Sequence, residues 1–306
     1  MKAIVVKSYG ASDVLALADA EDPVPGASEV LVRVRAAGIN PVDIGVQTGA
    51  FPILAPPYIP GWDVAGVVER ADPGIPLQVG DEVFGLPSFP REGGAYAEYV
   101  VGMSRHFARK PAGLTFVEAA ALPLVGLTAW QGLVDMADLA EGQRVLITGA
   151  SGGVGHIAVQ IAKARGAHVV AVGGAGRRGF VLGLGADEFV DRDTDFAADI
   201  DPVDVVFECV GRGYADRTLA VLAPGGILVT IVERWDTALA ERVTAAGRRF
   251  AGVAVEPDLS GLRGLAALVD VGQLRPHVSA VFQLEKAADA HDALAAGVIG
   301  KVVLEI

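Results

Sequence analysis

The chain has 306 residues, 52 % hydrophobic and 20 % charged. That length suits two domains, and that composition excludes a mainly disordered chain, which would be poor in apolar residues. With 25 basic against 37 acidic residues, net −12, the chain repels nucleic acid and anionic lipid at long range, so neither is expected as a partner.

In chain order, Met1 to Gly10 is too short in its apolar part for a signal peptide, and Lys7 interrupts it, so the expected location is cytoplasmic. Lys2 to Lys7 reads as a strand. Glu29 to Ala37 (EVLVRVRAA) alternates apolar and polar, as a half-buried strand does. Val64 to Ala71 and Asp81 to Leu86 follow suit, the latter after the turn residues Gly80-Asp81. Residues 1–122 therefore predict a mostly antiparallel β domain. The apolar stretch Ala119 to Trp130 is broken by Pro123 and Gly126, and no run reaches the roughly 20 residues a membrane span needs.

From 123 to 257 the rhythm changes. Strands are expected at Arg144 to Thr148, His168 to Val172, Glu188 to Asp191, Val203 to Val210 and Gly226 to Val232. Helices are expected at His156 to Arg165, Arg178 to Leu184 and Tyr214 to Leu222. Such alternation predicts an α/β fold, a doubly wound parallel sheet covered on both faces. Residues 258–306 hold helices near Leu262 to Val271 and Glu285 to Ala296, then a strand, Lys301 to Ile306, that returns to the first domain. Cys209 is the one cysteine, so no internal disulfide or thiolate zinc cage can form.

The informative segment is Gly149-Ala150-Ser151-Gly152-Gly153-Val154-Gly155, set between a buried strand and a helix in a βαβ unit of about 30 residues. Glycines let the backbone approach a pyrophosphate, and the helix N-terminus offers free N–H groups and partial positive charge. Ala150 stands where the first glycine is usual. The competing reading is a tight βα turn without a ligand, but four glycines in seven residues exceed what turning requires. The second strand runs into Val172-Gly173-Gly174-Ala175-Gly176-Arg177-Arg178, with no carboxylate before Asp187. An acid there would bind the ribose of NAD, whereas arginines accommodate the 2′-phosphate of NADP, so NADPH is the expected cofactor. The alternative is that both arginines are solvated at a helix start, where a cation opposes the helix dipole.

With these residues stated, the chain resembles the medium-chain dehydrogenase/reductase superfamily, and within it the zinc-free quinone oxidoreductase branch. Gly38-Ile39-Asn40-Pro41-Val42-Asp43 resembles that branch's Gly-Val/Ile-Asn-Pro-x-Asp segment. Pro60-Gly61-Trp62-Asp63-Val64-Ala65-Gly66 resembles its Pro-Gly-x-Asp-x-x-Gly segment. Leu122-Pro123 to Thr128-Ala129, Asp204 to Gly211 with Pro224-Gly225-Gly226, and Gly300 to Leu304 follow in family order. The resemblance implies a Rossmann-type nucleotide domain (123–257) and a GroES-like substrate domain (1–122 and 258–306). It implies NADPH-dependent reduction of a quinone or an α,β-unsaturated carbonyl, and a homodimer through an outer strand near Arg249 to Val255. Zinc relatives carry a Cys near position 38 and a His-Glu pair after the glycine near 61; here Asn40 and Trp62-Asp63 stand there, and none of the five histidines is paired at ligand spacing, so no metal is expected. Without a Lewis acid, alcohol oxidation is disfavoured, while charge placed on a conjugated acceptor can be met by hydrogen bonds.

Site roles are implied the same way. The turn Ala150, Ser151, Gly152, Gly153, Val154 and Gly155 lies on the pyrophosphate. Gly173, Arg177, Arg178 and Arg192 surround the 2′-phosphate. Thr128, Val210, Ile231 and Val232 line the nicotinamide ribose, and Asn40 faces the nicotinamide and substrate or, alternatively, caps the segment after it. Many relatives carry a tyrosine and an arginine where this chain has Gly45 and Gln47. The glycine is expected to widen the pocket. Tyr58 either replaces the missing proton donor or packs. Trp62 reads equally as core or pocket wall, and Cys209 as a small buried hydrophobe. Two further functions stay open at this point: an enoyl reductase of a biosynthetic pathway, and a non-catalytic NADPH-binding sensor or structural protein.

Overall fold

The computed structural model describes residues 1–306 apart from Arg212 and the side chains of Phe196 and Asp199. The chain forms two units: 1–127, 256–271 and 275–306 make the first, and 128–255 with 272–274 the second. The chain begins with a two-stranded antiparallel pair, β1 (Lys2–Val6) and β2 (Leu15–Asp19). It continues through β3 (Glu29–Ile39), the short helix α1 (Pro41–Gln47), β4 (Asp63–Ala71), β5 (Glu82–Gly85), β6 (Tyr99–Met103), β7 (Phe107–Arg109) and α2 (Phe116–Ala120).

β3 explains its own sequence. Its first part pairs with β4 and β6, and Val32 to Ala36 alternate in burial with Arg33 and Arg35 exposed, whereas Ala36 to Ile39 pair with the last strand, all but Ile39 also with β4, and are buried throughout. A central strand covered on both faces loses the period of two. α1 starts from an extended Asn40 with Pro41 at its first position, and the Asp43 carboxylate accepts the Asn40 N–H at 2.7 Å.

The helix α3 (Pro123–Trp130) runs into a π-helical turn, Gln131–Met136. Then come β8 (Arg144–Thr148), α4 (Gly153–Ala164), β9 (His168–Gly173), α5 (Arg178–Gly183), β10 (Glu188–Asp191), α6 (Phe196–Asp199) and β11 (Val203–Glu208). They are followed by α7 (Tyr214–Val221), β12 (Leu222–Thr230), α8 (Thr237–Ala245) and β13 (Arg249–Gly252). All six strands are parallel, in the order β10-β9-β8-β11-β12-β13. That is the doubly wound order 3-2-1-4-5-6, whose direction reverses between β8 and β11. Leu146, Val170, Val206 and Leu228 of its four inner strands are fully buried in one core with Val221, Leu239 and Val243 from the helices.

The chain returns through α9 (Leu259–Asp270), β14 (Val278–Gln283), α10 (Ala287–Ala295) and β15 (Lys301–Glu305). β15 pairs antiparallel with β3, and β14 parallel with β15, giving the order β14-β15-β3-β4-β5-β7 with β6 on β3. The first unit is thus mostly antiparallel with one parallel edge. Among the described residues no helix is long and apolar enough to cross a membrane.

Candidate functional site

In the second unit the glycine turn lies at the C-terminal end of β8, beside the reversal of strand order. Gly149 takes a positive φ of 61°, which glycine adopts at little cost. Gly152 is the N-cap of α4, so no cap side chain competes for the first free amides of a 12-residue helix. A Cβ on Gly155 would stand 2.2 Å from the Gly149 carbonyl oxygen and 2.7 Å from the Ala150 Cα, so only glycine lets helix and turn approach this closely. Ala150 is buried and its N–H donates to the Val172 carbonyl (3.2 Å), while Ser151, Gly153 and Val154 are half-buried. These residues fit a pyrophosphate: amides with no side-chain cap, a helix dipole and glycines at three of the four positions from 152 to 155. His156 is fully buried in α4, its Nδ1 2.9 Å from the Gly152 carbonyl oxygen.

The structure divides the arginines. Arg178 donates to the Phe189 carbonyl (3.1 Å) and lies over the Phe189 ring at 5.6 Å, so it serves β10. Arg192 is exposed and lies against Gly174; a Cβ there would be 3.7 Å from its Nε. Arg177 is half-buried at the same turn, after the buried Gly173. Val210 and Ile231 are half-buried on the loops leaving β11 and β12, Val232 is exposed, and Thr128 is buried on α3. Glu208, which sequence reading passed over, ends β11 fully buried. It accepts from the N–H groups of Val210 (2.5 Å) and Gly211 (2.7 Å) and from the hydroxyls of Thr148 (3.3 Å) and Thr230 (3.0 Å). Burial pushes the Cys209 thiol well above its ordinary pKa, which disarms it as a nucleophile.

The first unit holds a buried polar cluster around Asn40. The Asn40 amide donates to Asp63 Oδ2 (2.8 Å), and its oxygen accepts from Lys301 Nζ (2.5 Å). Lys301 also donates to the Ile39 carbonyl (2.7 Å) and to Asp63 Oδ2 (3.0 Å), while Asp63 Oδ1 accepts the Leu124 N–H (2.6 Å). Asn40, Asp63 and Lys301 are essentially inaccessible. The Asn40 side chain is therefore held at both ends. Asn40 is also the N-cap of α1, in a capping box with Asp43, so it caps the segment after it as one sequence reading had it.

Beside it, burial raises the Asp43 carboxyl to about 7. Burial lowers His291 to about 4, so the ring is neutral, its Nδ1 donating to Gln47 Oε1 (2.6 Å) and its Nε2 accepting from the Tyr96 hydroxyl (3.1 Å). The Tyr58 hydroxyl is buried without a hydrogen-bond partner, and burial pushes its pKa up to about 12, away from ready proton donation. Trp62 is core: its Nε1 donates to the Arg91 carbonyl (2.6 Å) and its ring meets Phe89 edge-on. Gly45 does not open space. The Phe51 ring fills it, standing 2.0 Å from where a Cβ would be.

Asp43 and His291 make opposed pH contributions. The folded pKa of Asp43 lies above its ordinary 3.8, so its contribution to stability is full below about pH 4 and is lost as pH rises to about 7. The folded pKa of His291 lies below 6.5, so its contribution is present above that pH and lost as pH falls toward about 4. Asp43→Asn removes the first slope. The stability of the parent minus that of the variant should fall by about 4 kcal/mol between pH 4 and pH 7.5. Urea titrations across that range check it; parallel pH profiles would contradict it.

Residues 184–304 match the zinc-binding dehydrogenase family, and residues 26–112 match the alcohol dehydrogenase GroES-like domain. A quinone oxidoreductase of Homo sapiens is 32 % identical over 326 aligned positions, which cover 99 % of this chain and 97 % of the relative. A 2-methylene-furan-3-one reductase of Solanum lycopersicum is 34 % identical, over 99 % of this chain and 79 % of the relative. The solved structure of a quinone oxidoreductase from Coxiella burnetii has a TM-score of 0.93 at 32 % identity, over 100 % of this chain and 99 % of the other. The doubly wound sheet with its glycine cradle, and the GroES-like unit in the same chain, define a pyridine-nucleotide-binding oxidoreductase. The chain belongs to the medium-chain dehydrogenase/reductase superfamily, in its quinone oxidoreductase branch.

The zinc in the matched family's description meets a different donor set here. Among the described residues no three His, Cys, Asp or Glu side chains group to hold a metal. Asp63, at the place of the zinc relatives' ligands, has both oxygens committed, and a buried ammonium 3.0 Å away would repel a dication. These residues do not fit a zinc ion.

Proposed function

We propose that the chain is an NADPH-dependent, zinc-independent reductase of quinones or α,β-unsaturated carbonyls, acting on small molecules in the cytoplasm as a homodimer. When bound, the reduced nicotinamide supplies a hydride. The observation that carries the reading is the uncapped, glycine-rich start of α4 at the switch point, with Arg177 and Arg192 at the turn after β9 and no acid between β9 and Asp187. The amides of Gly153, Val154 and Gly155 would hold the pyrophosphate, and the two guanidinium groups the 2′-phosphate. The loops after β11 and β12 would hold the nicotinamide ribose. Asn40, fixed by Lys301 and Asp63, presents a locked backbone rather than a free amide, so a proton for the reduced acceptor would come from water. β13 lies at the edge of its sheet and offers the pairing surface for a second copy.

Loss of 340 nm absorbance with NADPH and an acceptor panel tests the reading. Turnover of 1,4-benzoquinone or of simple enones supports it. Turnover of enoyl thioesters alone points to the enoyl reductase, and nucleotide binding without turnover points to a sensor. The cofactor preference has its own test. Arg177→Ala combined with Arg192→Ala should weaken NADPH binding by about 10- to 100-fold, from the loss of charge-assisted bonds of ~1.5–3 kcal/mol, and leave NADH nearly unchanged. Equal loss for both nucleotides would overturn the assignment. Arg178→Ala is expected to spare that preference because its guanidinium is engaged by Phe189.

A further inference from the structure

We infer that Glu208 is a positioning residue for the nicotinamide half of the cofactor, acting through Thr148 and Thr230. The inference rests on the reading that a pyridine nucleotide occupies the switch point. Glu208 sits there, at the end of β11, in register with Thr230 of β12. Its Oε1 takes the two backbone amides of Val210 and Gly211 and the Thr148 hydroxyl, and its Oε2 takes the Thr230 hydroxyl. Each threonine passes the constraint on. Thr148 Oγ1 accepts the Cys209 N–H (2.9 Å), and Thr230 Oγ1 accepts from Glu233 (3.2 Å) and more weakly from Val232 (3.4 Å).

One carboxylate thus ties together the chain ends leaving β8, β11 and β12. The last two loops carry Val210, Ile231 and Val232, and Thr148 directly precedes the glycine turn. The loops also touch: a Cβ on Gly211 would stand 2.6 Å from Val232 Cγ1. Packing alone would be met by an apolar side chain. Burying a carboxylate is costly, and its return is an acceptor for several donors at once. Because the Thr230 hydrogen points to Glu208, its lone pairs are left for the amides of the β12 loop.

That polarity makes the role separable. In Glu208→Gln, the amide oxygen can keep Val210 and Gly211, which turns the NH₂ toward Thr230. The Thr230 hydroxyl then has its hydrogen displaced and its lone pairs contested, so the β12 loop loosens while the α4 cradle keeps its own hydrogen bonds. Thr230→Val removes the same link from the other side. The two variants share one defect and should not add.

Calorimetry on the full chain tests this with NADPH and with adenosine 2′,5′-bisphosphate, which lacks the nicotinamide; NADH and ADP serve as the parallel pair. Glu208→Gln and Thr230→Val are each expected to weaken the whole nucleotide by about tenfold, the effect of ~1.4 kcal/mol, and leave the half nucleotide within about twofold. The double variant should match either single one, Thr230→Ser should bind like the parent, and kcat at saturating nucleotide should fall in both singles. Equal weakening of whole and half nucleotide, or additive losses, would overturn the positioning role alone. A parent protein that binds neither NADPH nor NADH would overturn the functional reading and this inference with it. The threonine variants carry the test if Glu208→Gln does not fold.

Discussion

Lys301→Met is expected to cost the protein about 3–5 kcal/mol of stability, the usual effect of removing one partner from a buried ion pair. Lys301 is 1 % exposed, and its ammonium is shared by Asp63, the Asn40 side chain and the Ile39 carbonyl. Methionine fills a similar volume but offers no donor, so a carboxylate and two oxygens are left in a site closed to water. The residual Asn40 and Leu124 contacts do not neutralise Asp63. Urea unfolding of parent, Lys301→Met, Asp63→Asn and the double variant measures this, and the double variant should lose much less than the sum. A shift under about 1 kcal/mol for Lys301→Met would show that the cluster is hydrated or already uncharged.

The second large effect lies in the cradle. Gly155→Ala is expected to weaken nucleotide binding by about 100-fold, because the added methyl meets three backbone atoms that cannot swing aside and the start of α4 must move off the turn. The amides that would hold the pyrophosphate move with it. Gly179→Ala is the control: a Cβ there meets nothing within 4 Å and its φ is not positive, so it should bind like the parent and be slightly more stable. Equal affinities for the two variants, measured by calorimetry, would remove the close approach from the account.

The strand–helix alternation of 144–230 was legible because buried parallel strands are short apolar runs and their helices end at glycines such as Gly166 and Gly185. β14 was harder to see. It buries Val278, Ala280 and Phe282 only partly, and Val281 faces outward, which blurs the period of two. β12 begins at Leu222 because the Pro224-Gly225-Gly226 stretch, a turn by composition, lies within a register irregularity against β11. The nucleotide cradle was readable from spacing, since its glycines are sequential. The polar cluster was not. Asn40, Asp63 and Lys301 meet through the pairings of β3 with β4 and with β15 (Gly38 with Asp63, Val302 with Ile39), and no local pattern encodes those. Glu208 was hidden for the same reason, its partners Thr148 and Thr230 ending neighbouring strands. An acid closing the apolar run Val205-Val206-Phe207 was the one available signal. The space over Gly45 was misjudged because Phe51, six residues on, folds its ring back onto it.

The most direct measurement follows the hydride itself. The protein is mixed with NADPH carrying deuterium at both C4 positions and a simple enone, with parallel reactions run with and without a metal chelator. The account predicts loss of absorbance at 340 nm, one deuterium on the β-carbon of the saturated product, and the same rate with and without chelator. A saturated product that forms without deuterium, or activity abolished by the chelator and restored by zinc, would contradict it.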